Sequence, residues 1–230
     1  MINYRLWVRI NLYMNRCVIM SCPLCLNLNT KHYHQDKMRN YWQCQDCQLV
    51  FVKPEDCYSP DDEKAVYDLH ENNFEDSGYR DFLNRLLLPL TKKLKPNARG
   101  LDFGSGPGPT ISLMMAENGF KVRNYDLYYA NNPDVFNQKY DFITCTEVIE
   151  HLYHPHLELN KLKKVLKPNG FLGIMTKRLI DHDRFISWHY KNDPTHVCFY
   201  SDETFEFIAN YWGFDLELVN ADSVILSLSP

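Results

Sequence analysis

Across 230 residues no stretch approaches the roughly 18 to 20 uninterrupted apolar positions of a membrane-spanning helix, which excludes that class of membrane protein. The first 19 residues also lack the continuous apolar centre and small-residue cleavage pattern of a secretory signal, because Asn11, Asn15 and Arg16 interrupt them. Excess positive charge is missing too: 25 Lys+Arg stand against 29 Asp+Glu, net −4, so there is no global nucleic-acid signature. The charge is uneven, however. Residues 1–50 hold six Lys+Arg against two Asp+Glu, net +4, and the remainder carries about −8. Glycine is scarce, nine in all, yet three of the nine fall at 104, 106 and 108.

Hydrophobic residues make up 45% of the chain, enough for one medium domain and a small module. Residues 1–19 are expected to be an extension outside the folded unit, disordered or non-native. Met20, just before Ser21-Cys22-Pro23, would serve as an alternative start. Eight cysteines without a secretory signal point to a reducing, cytoplasmic setting and to metal rather than disulfides. Cys22-Pro-Leu-Cys25 and Cys44-Gln-Asp-Cys47 form two C-x2-C pairs separated by 18 residues, the spacing of a zinc ribbon. Two such turns can face one ion as a closed tetrahedral Cys₄ site, which leaves no position for substrate and makes the zinc structural. Tyr41-Trp42-Gln43 and Leu49–Val52 are expected as short strands around the second pair, with His32 and His34 on the surface of the intervening loop. Cys145 lies within an apolar strand and is expected to pack as a small hydrophobe. Cys17, Cys57 and Cys198 have no metal-binding spacing.

Residues 100–109, Gly-Leu-Asp-Phe-Gly-Ser-Gly-Pro-Gly-Pro, read as a strand, a glycine turn and a helix start with Pro109 in the first helical position. A ligand can pack directly on the amides of such a turn. The spacing is G-x-G-x-G rather than the G-x-G-x-x-G of dinucleotide folds, and Asp102 precedes it by two residues. A carboxylate there would repel a pyrophosphate and suit a cationic sulfonium, so S-adenosylmethionine is the favoured ligand. Asp126, at the end of the next apolar run, could accept hydrogen bonds from both ribose hydroxyls.

The pattern from 60 to 230 predicts two helices before the turn. The second carries an apolar stripe of Phe82, Leu83, Leu86, Leu87 and Leu90. Strands at 99–103, 120–126, 140–145 and 170–176 alternate with helices at 108–118 and 155–166, and Pro168-Asn169-Gly170 reads as a turn into the last of these strands. A helix at 202–212 and an antiparallel pair at 214–219 and 224–228 follow. The fold class is therefore α/β: a doubly wound, mostly parallel sheet with a C-terminal antiparallel strand pair, preceded by a small zinc-ribbon module. The expected organisation is a ribbon at 20–55, a helical connector and cofactor lid at 56–97, and the main domain at 98–230.

The segments LDFGSGPGP (101–109), YDLYY (125–129), YDFITCTEVIEHL (140–152), LKPNGFLGIMT (166–176) and FYSDETFEFIANYWGF (199–214) resemble the class I S-adenosylmethionine-dependent methyltransferases, which have a seven-stranded sheet. Only 13 residues separate Asp126 from Tyr140, which leaves little room for a full third strand and helix. The resemblance implies a cofactor site of Asp102, Gly104, Ser105, Gly106, Gly108, Asp126, Thr146 and Glu147. It places the first glycines along the methionine end and Thr146 with Glu147 facing the methyl group.

Glu147-Val148-Ile149-Glu150-His151 is an E-x-x-E-H expected to begin a helix with both acids on one face. A similar stretch binds a divalent ion in RNA 3′-terminal 2′-O-methyltransferases and ubiquinone-pathway O-methyltransferases. His196, in a loop after the fifth strand, would complete a second metal site of Glu147, Glu150, His151 and His196. The plainer reading, which is preferred because metal-free methyltransferases resemble the same stretch, has the acids cap the helix while His151 packs locally. Glu147, His151 and His196 are the catalytic candidates. The aromatic segment 177–200 is expected to cover the substrate as a lid.

The function these expectations define is methyl transfer from S-adenosylmethionine to an O or N nucleophile on RNA or a small metabolite. The arrangement resembles ribosomal RNA methyltransferases in which a ribbon helps hold RNA, and the local +4 gives modest support for a phosphate-bearing partner. The alternative is a non-catalytic binding protein that uses the fold as a scaffold.

Overall fold

The computed structural model describes residues 20–69 and 74–229. In chain order the elements are β1 (Thr30–Gln35), β2 (Asn40–Cys44), β3 (Val50–Val52), α1 (Pro60–Tyr67), α2 (Ser77–Thr91), β4 (Arg99–Phe103), α3 (Thr110–Glu117), β5 (Lys121–Tyr125) and β6 (Tyr140–Thr146). After these come α4 (Pro155–Val165), β7 (Leu166–Met175), α5 (His182–Ile186), β8 (Cys198–Phe199), α6 (Asp202–Trp212), β9 (Phe214–Leu218) and β10 (Ser223–Leu228).

The larger sheet runs β5-β4-β6-β7-β10-β9, with the first four strands parallel and β10 antiparallel to both its neighbours. Alternation along the strands sends side chains to two cores. Phe142, Met175 and Ile225 meet Leu83, Leu86, Leu87 and Leu90 of α2 and Met114 and Met115 of α3 on one face. Burying four such leucines stabilises the packing by roughly 2 kcal/mol each. Ile143, Cys145, Leu172, Ile174, Val224 and Leu226 point to the other face, where α4, α6 and the cysteine module pack. Cys145 is a buried core residue, as its strand context predicts. The sheet has six strands among the described residues, not seven, and the short stretch after β5 forms a 3-10 turn at Pro133–Asn137.

Two details of the larger sheet differ from expectation. The Pro168-Asn169-Gly170 turn lies within β7, where Tyr140 pairs with Leu166 and Phe142 with Phe171, so the extra residues bulge out and Asn169 takes a φ of 59°. Helix α3 begins at Thr110, and Pro109 precedes it as N-cap rather than occupying the first helical turn.

The smaller sheet is antiparallel, β1-β2-β3-β8. Its fourth strand comes from residues 198–199: Val50 pairs with Phe199 and Phe51 with Cys198. His32 and His34 lie on β1 rather than in a loop, because the chain between the cysteine pairs is long enough to form a hairpin with β2. The aromatic rings of segment 177–200 largely serve this junction, and of the segment only Asp193 and His196 border the cavity: Phe185 packs edge-on against Tyr33, Tyr41 and Phe199, and Phe185, Phe199 and Tyr200 are fully buried. The lid expectation is thereby corrected, since an apolar surface on the ribbon claims these rings first. The expectation for residues 1–19, Cys17 included, lies outside the described residues.

Candidate active site

At the carboxyl end of β4 the chain turns through Gly104 at φ +82° and Gly106 at φ +61°, conformations that glycine adopts without strain. A Cβ on Gly104 would lie 2.2 Å from Cγ2 of Val148, so the turn is pressed against the E-x-x-E-H segment. The Gly104 and Ser105 amides both donate to the Tyr125 carbonyl, at 2.8 and 3.1 Å, which ties the turn to the end of β5. Asp126 binds the same turn: one carboxylate oxygen accepts from the Gly106 amide at 2.9 Å, the other from the Tyr128 and Tyr129 amides at 2.8 and 3.0 Å.

Asp102, 2% exposed, accepts from the Thr144 hydroxyl at 2.8 Å, and its burial pushes its pKa up to about 7. These groups open onto a cavity of about 880 Å³ that is also lined by Thr146, Glu147, His151, His196 and the tyrosines at 67, 79, 125, 128 and 129. Glu63 of α1 accepts from the Tyr67 and Tyr128 hydroxyls at 2.7 and 2.9 Å, joining α1 to the segment after β5. Sequence reasoning missed Glu63 and these tyrosines, since nothing local in 60–69 signals a contact with 128.

The E-x-x-E-H stretch does not start a helix as expected. It leaves β6 through Glu147 at φ 51°, a strained position for a residue with a side chain, and continues as one 3-10 turn at Ile149–His151. The acids therefore cap nothing. The Tyr190 hydroxyl, 3.3 Å from Oε2 of Glu147, also donates to Oε1 of Glu150. Oε1 of Glu147 and Oε2 of Glu150 are buried without a hydrogen-bond partner among the described residues. One phenolic proton cannot serve two buried carboxylates, so burial drives Glu147 up to about 7, and burial with Glu147 alongside drives Glu150 up to about 8.

His151 and His196 stand with ring centroids 4.6 Å apart. Nδ1 of His151 lies 3.1 Å from the Thr195 carbonyl and Nδ1 of His196 2.7 Å from that of Tyr190, which makes Nδ1–H the donor in both rings. Burial lowers the pKa of His196, and its Nε2 lies 3.7 Å from the Asp193 carboxylate. Glu150, His151 and His196 can bring one ligand atom each within 4.8 Å of one another. Glu147 is not in that group, although the Tyr190 hydroxyl joins it to Glu150. The donor set, with carbonyl-bound Nδ1 atoms and an orphan carboxylate oxygen, fits a divalent cation.

Cys22, Cys25, Cys44 and Cys47 also converge within 4.8 Å, with Sγ–Sγ separations of 3.5 Å (Cys22–Cys47) and 3.4 Å (Cys25–Cys44). A tetrahedral zinc with sulfur ligands needs edges of about 3.8 Å, so the set fits that ion with little movement. The two turns are alike: the Leu26 amide bonds the Cys22 carbonyl, the Gln48 amide bonds the Cys44 carbonyl, and Leu26 and Gln48 both have positive φ.

A doubly wound sheet with a glycine turn and paired acids at its carboxyl edge defines a nucleoside-binding α/β protein of the methyltransferase type. Residues 70–219 match the family model described as "Methyltransferase domain", and the chain belongs to that family. Ubiquinone biosynthesis O-methyltransferases of Erwinia tasmaniensis and Photobacterium profundum are 31% and 33% identical to it over 74 and 78 residues, which is 32% and 34% of this chain and 30% and 33% of theirs. The chain thus aligns with about a third of the length of these curated relatives. Among solved structures, magnesium protoporphyrin IX methyltransferase from Synechocystis PCC 6803, with bound SAH, superimposes with a TM-score of 0.50 at 16% identity, covering 73% of this chain and 94% of that one. A chain of the complex between the Haloferax volcanii Trm112 methyltransferase activator and a methyltransferase gives 0.52 at 12% identity, covering 75% and 100%. Both likenesses concern the fold. Among the described residues no helix is long and apolar enough to cross a membrane.

Proposed function

We propose that this protein transfers a methyl group from S-adenosylmethionine to a hydroxyl oxygen of a small organic acceptor held in the cavity, with a structural zinc in the ribbon. The observation that carries the reading is the cluster of Glu150, His151 and His196, with Glu147 sharing the Tyr190 hydroxyl with Glu150, beside the Val148 side chain that packs on the glycine turn. Acidic and imidazole groups meet there at the place where the family's donor and acceptor would meet. When bound, S-adenosylmethionine supplies an electrophilic methyl on a sulfonium. Gly104, Ser105, Gly106 and Gly108 would take its methionine end, with Asp126 on the ribose and Asp102 near the ammonium. Thr146 and Glu147 would face the methyl.

Much of the catalysis in an in-line displacement is positioning. The remaining task is the acceptor proton, and His196 suits it: burial keeps the ring neutral near neutral pH, the Tyr190 carbonyl fixes Nδ1–H, and Nε2 is left as the accepting atom. Asp193 stabilises the imidazolium that results. As the new O–C bond forms and the S–C bond breaks, the proton passes to Nε2 and then to solvent. A second reading rests on the orphan Glu150 oxygen: Glu150, His151 and His196 would hold a divalent ion that lowers the hydroxyl's pKa.

Nucleic acid is disfavoured as acceptor because Arg39, counted in the basic amino-terminal region, is buried and bonds to the protein's own backbone. Methyl-labelled S-adenosylmethionine incubated with cell extract should label the small-molecule fraction, and calorimetry should give micromolar cofactor affinity. Label confined to RNA or protein would overturn the acceptor class. Absence of binding at millimolar cofactor would leave the non-catalytic scaffold. Activity abolished by a chelator and restored by magnesium or manganese would select the second reading.

A further inference from the structure

The guanidinium of Arg39 sits at the β1–β2 hairpin, 7% exposed, and among the described residues no carboxylate forms an ion pair with it. Its four terminal N–H bonds go to four carbonyl oxygens of one short loop. Nη1 donates to Pro194 at 3.0 Å and His196 at 2.9 Å, and Nη2 to Lys191 at 2.5 Å and Asp193 at 3.0 Å. Only a planar fork with its donors in fixed directions can gather four carbonyls in this way. The loop is wrapped around the cation, and its last residue is the imidazole assigned above as base.

A second connection runs in parallel. Asp36 of the same hairpin pairs with the buried Lys191 at 2.8 Å. Immediately after the loop, the Val52 amide of β3 donates to the Val197 carbonyl and the Val197 amide to the Glu150 carbonyl, at 2.9 and 2.8 Å. Backbone thus runs unbroken from the ribbon to the E-x-x-E-H turn.

We propose that the ribbon acts inward, and that Arg39 is a positioning residue which sets the His196 imidazole by holding the 191–196 loop from within the cysteine module. The inference rests on the reading of His196 as the base of the proposed transfer. The physical reason is directional. His196 Nδ1 must meet the Tyr190 carbonyl for Nε2 to be the basic atom, and both partners flank the stretch whose carbonyls Arg39 collects. Without the guanidinium, the Pro194 and His196 carbonyls lose their donor, and those of Lys191 and Asp193 keep only the longer bonds from the Tyr41 hydroxyl at 3.4 Å and the His196 amide at 3.3 Å, so the loop must turn toward water to satisfy them.

The test uses the full chain, loaded with zinc, as wild type, Arg39→Lys and Arg39→Ala. The imidazole nitrogens of His196 are followed by ¹⁵N resonance, the loop amides by hydrogen exchange, and the cofactor site by calorimetry with S-adenosylhomocysteine. In wild type the ¹⁵N shifts should report His196 as the Nδ1–H tautomer. Both variants are expected to lose that signature, with amides 191–197 exchanging at least about tenfold faster. Affinity for S-adenosylhomocysteine and the protection of β4 and β6 should stay at wild-type values. Lysine keeps the charge but cannot span four acceptors, so failure of Arg39→Lys to rescue marks geometry rather than charge.

An unchanged His196 signature in either variant overturns the inference. So does uniform loss of protection across β4 and β6, which would reduce Arg39 to general stability. Should Arg39→Ala not fold, Arg39→Lys decides alone. If wild type does not bind S-adenosylhomocysteine, the proposed function falls, while the link from Arg39 to His196 is still judged by the ¹⁵N signature.

Discussion

At Asp102 a single buried carboxyl makes both stability and ligand binding depend on pH. Its pKa rises from 3.8 to about 7, because burial outweighs the Thr144 hydrogen bond. A shift of that size corresponds to at most ~4 kcal/mol. The folded state holds this proton where the unfolded chain has lost it, so Asp102's contribution to stability is full below its unfolded pKa and disappears as pH rises through about 7. Thermal melts of cofactor-free Asp102→Asn should therefore lack part of the fall that wild type shows between about pH 4 and about pH 8. The ligand effect has the opposite sign. A cationic cofactor favours the carboxylate, so wild-type affinity should climb over the same range and that of Asp102→Asn should stay flatter; parallel profiles for the two proteins would refute both. Asp102 and the glycine turn were legible in the sequence because strand, turn and acid are local. Glu63, Tyr190 and Arg39 were not, because each takes its meaning from residues between 40 and 157 positions away.

Among the elements, β3 shows where the sequence reading ran out. Apart from β7, which begins at Leu166 rather than at 170, the strands of the larger sheet were found within a residue or two, since burial on one or two faces leaves a periodic trace. The pairing of Val50 and Phe51 with Phe199 and Cys198 leaves none, and so the ribbon read as a module of its own. The same pairing explains why the aromatic segment belongs to the ribbon: β8 is only two residues long, and its Phe199 ring packs with Tyr41 and Phe185 in one cluster. It follows that the Cys₄ site supports more than residues 20–55. Removing zinc by chelation, or substituting Cys44→Ser, should deprotect the amides of Val197 and Phe199 together with those of β2, and should destabilise the protein by more than about 3 kcal/mol, given what structural zinc contributes to small domains. Hydrogen exchange with and without chelator measures this. Loss confined to β1 and β2, with Val197 and Phe199 still protected, would show that the ribbon melts independently.

For the whole molecule, the balance of charge and enclosure favours a small acceptor over a polymer. Of the positive groups in or against the ribbon, Arg39 and, from the 191–196 loop, Lys191 are buried against the protein's own carbonyls and Asp36, and Lys53 lies 4.5 Å over the Trp42 ring. Lys31 and Lys37 are left facing solvent there among the described residues. The cavity, about 880 Å³, is bordered by the carboxylates of Glu63, Asp126 and Asp193 and by the Glu158–Lys161 pair, a border in which acids outnumber the one lysine and would repel a phosphate backbone. Each phosphate neutralised contributes roughly 0.7 to the salt slope for a single strand, so two or three solvent-facing lysines give a slope of about 2 at most. Filter binding of a mixed-sequence single-stranded RNA, with salt raised from about 50 to about 200 mM, should accordingly show weak affinity, no tighter than non-specific binding at about 10⁻⁴ M near physiological salt. Affinity a hundredfold tighter, with a slope of about 5 or more, would require a basic surface that the described residues of the ribbon do not provide. In that case RNA would return as the acceptor class, and the ribbon would face outward as well as inward.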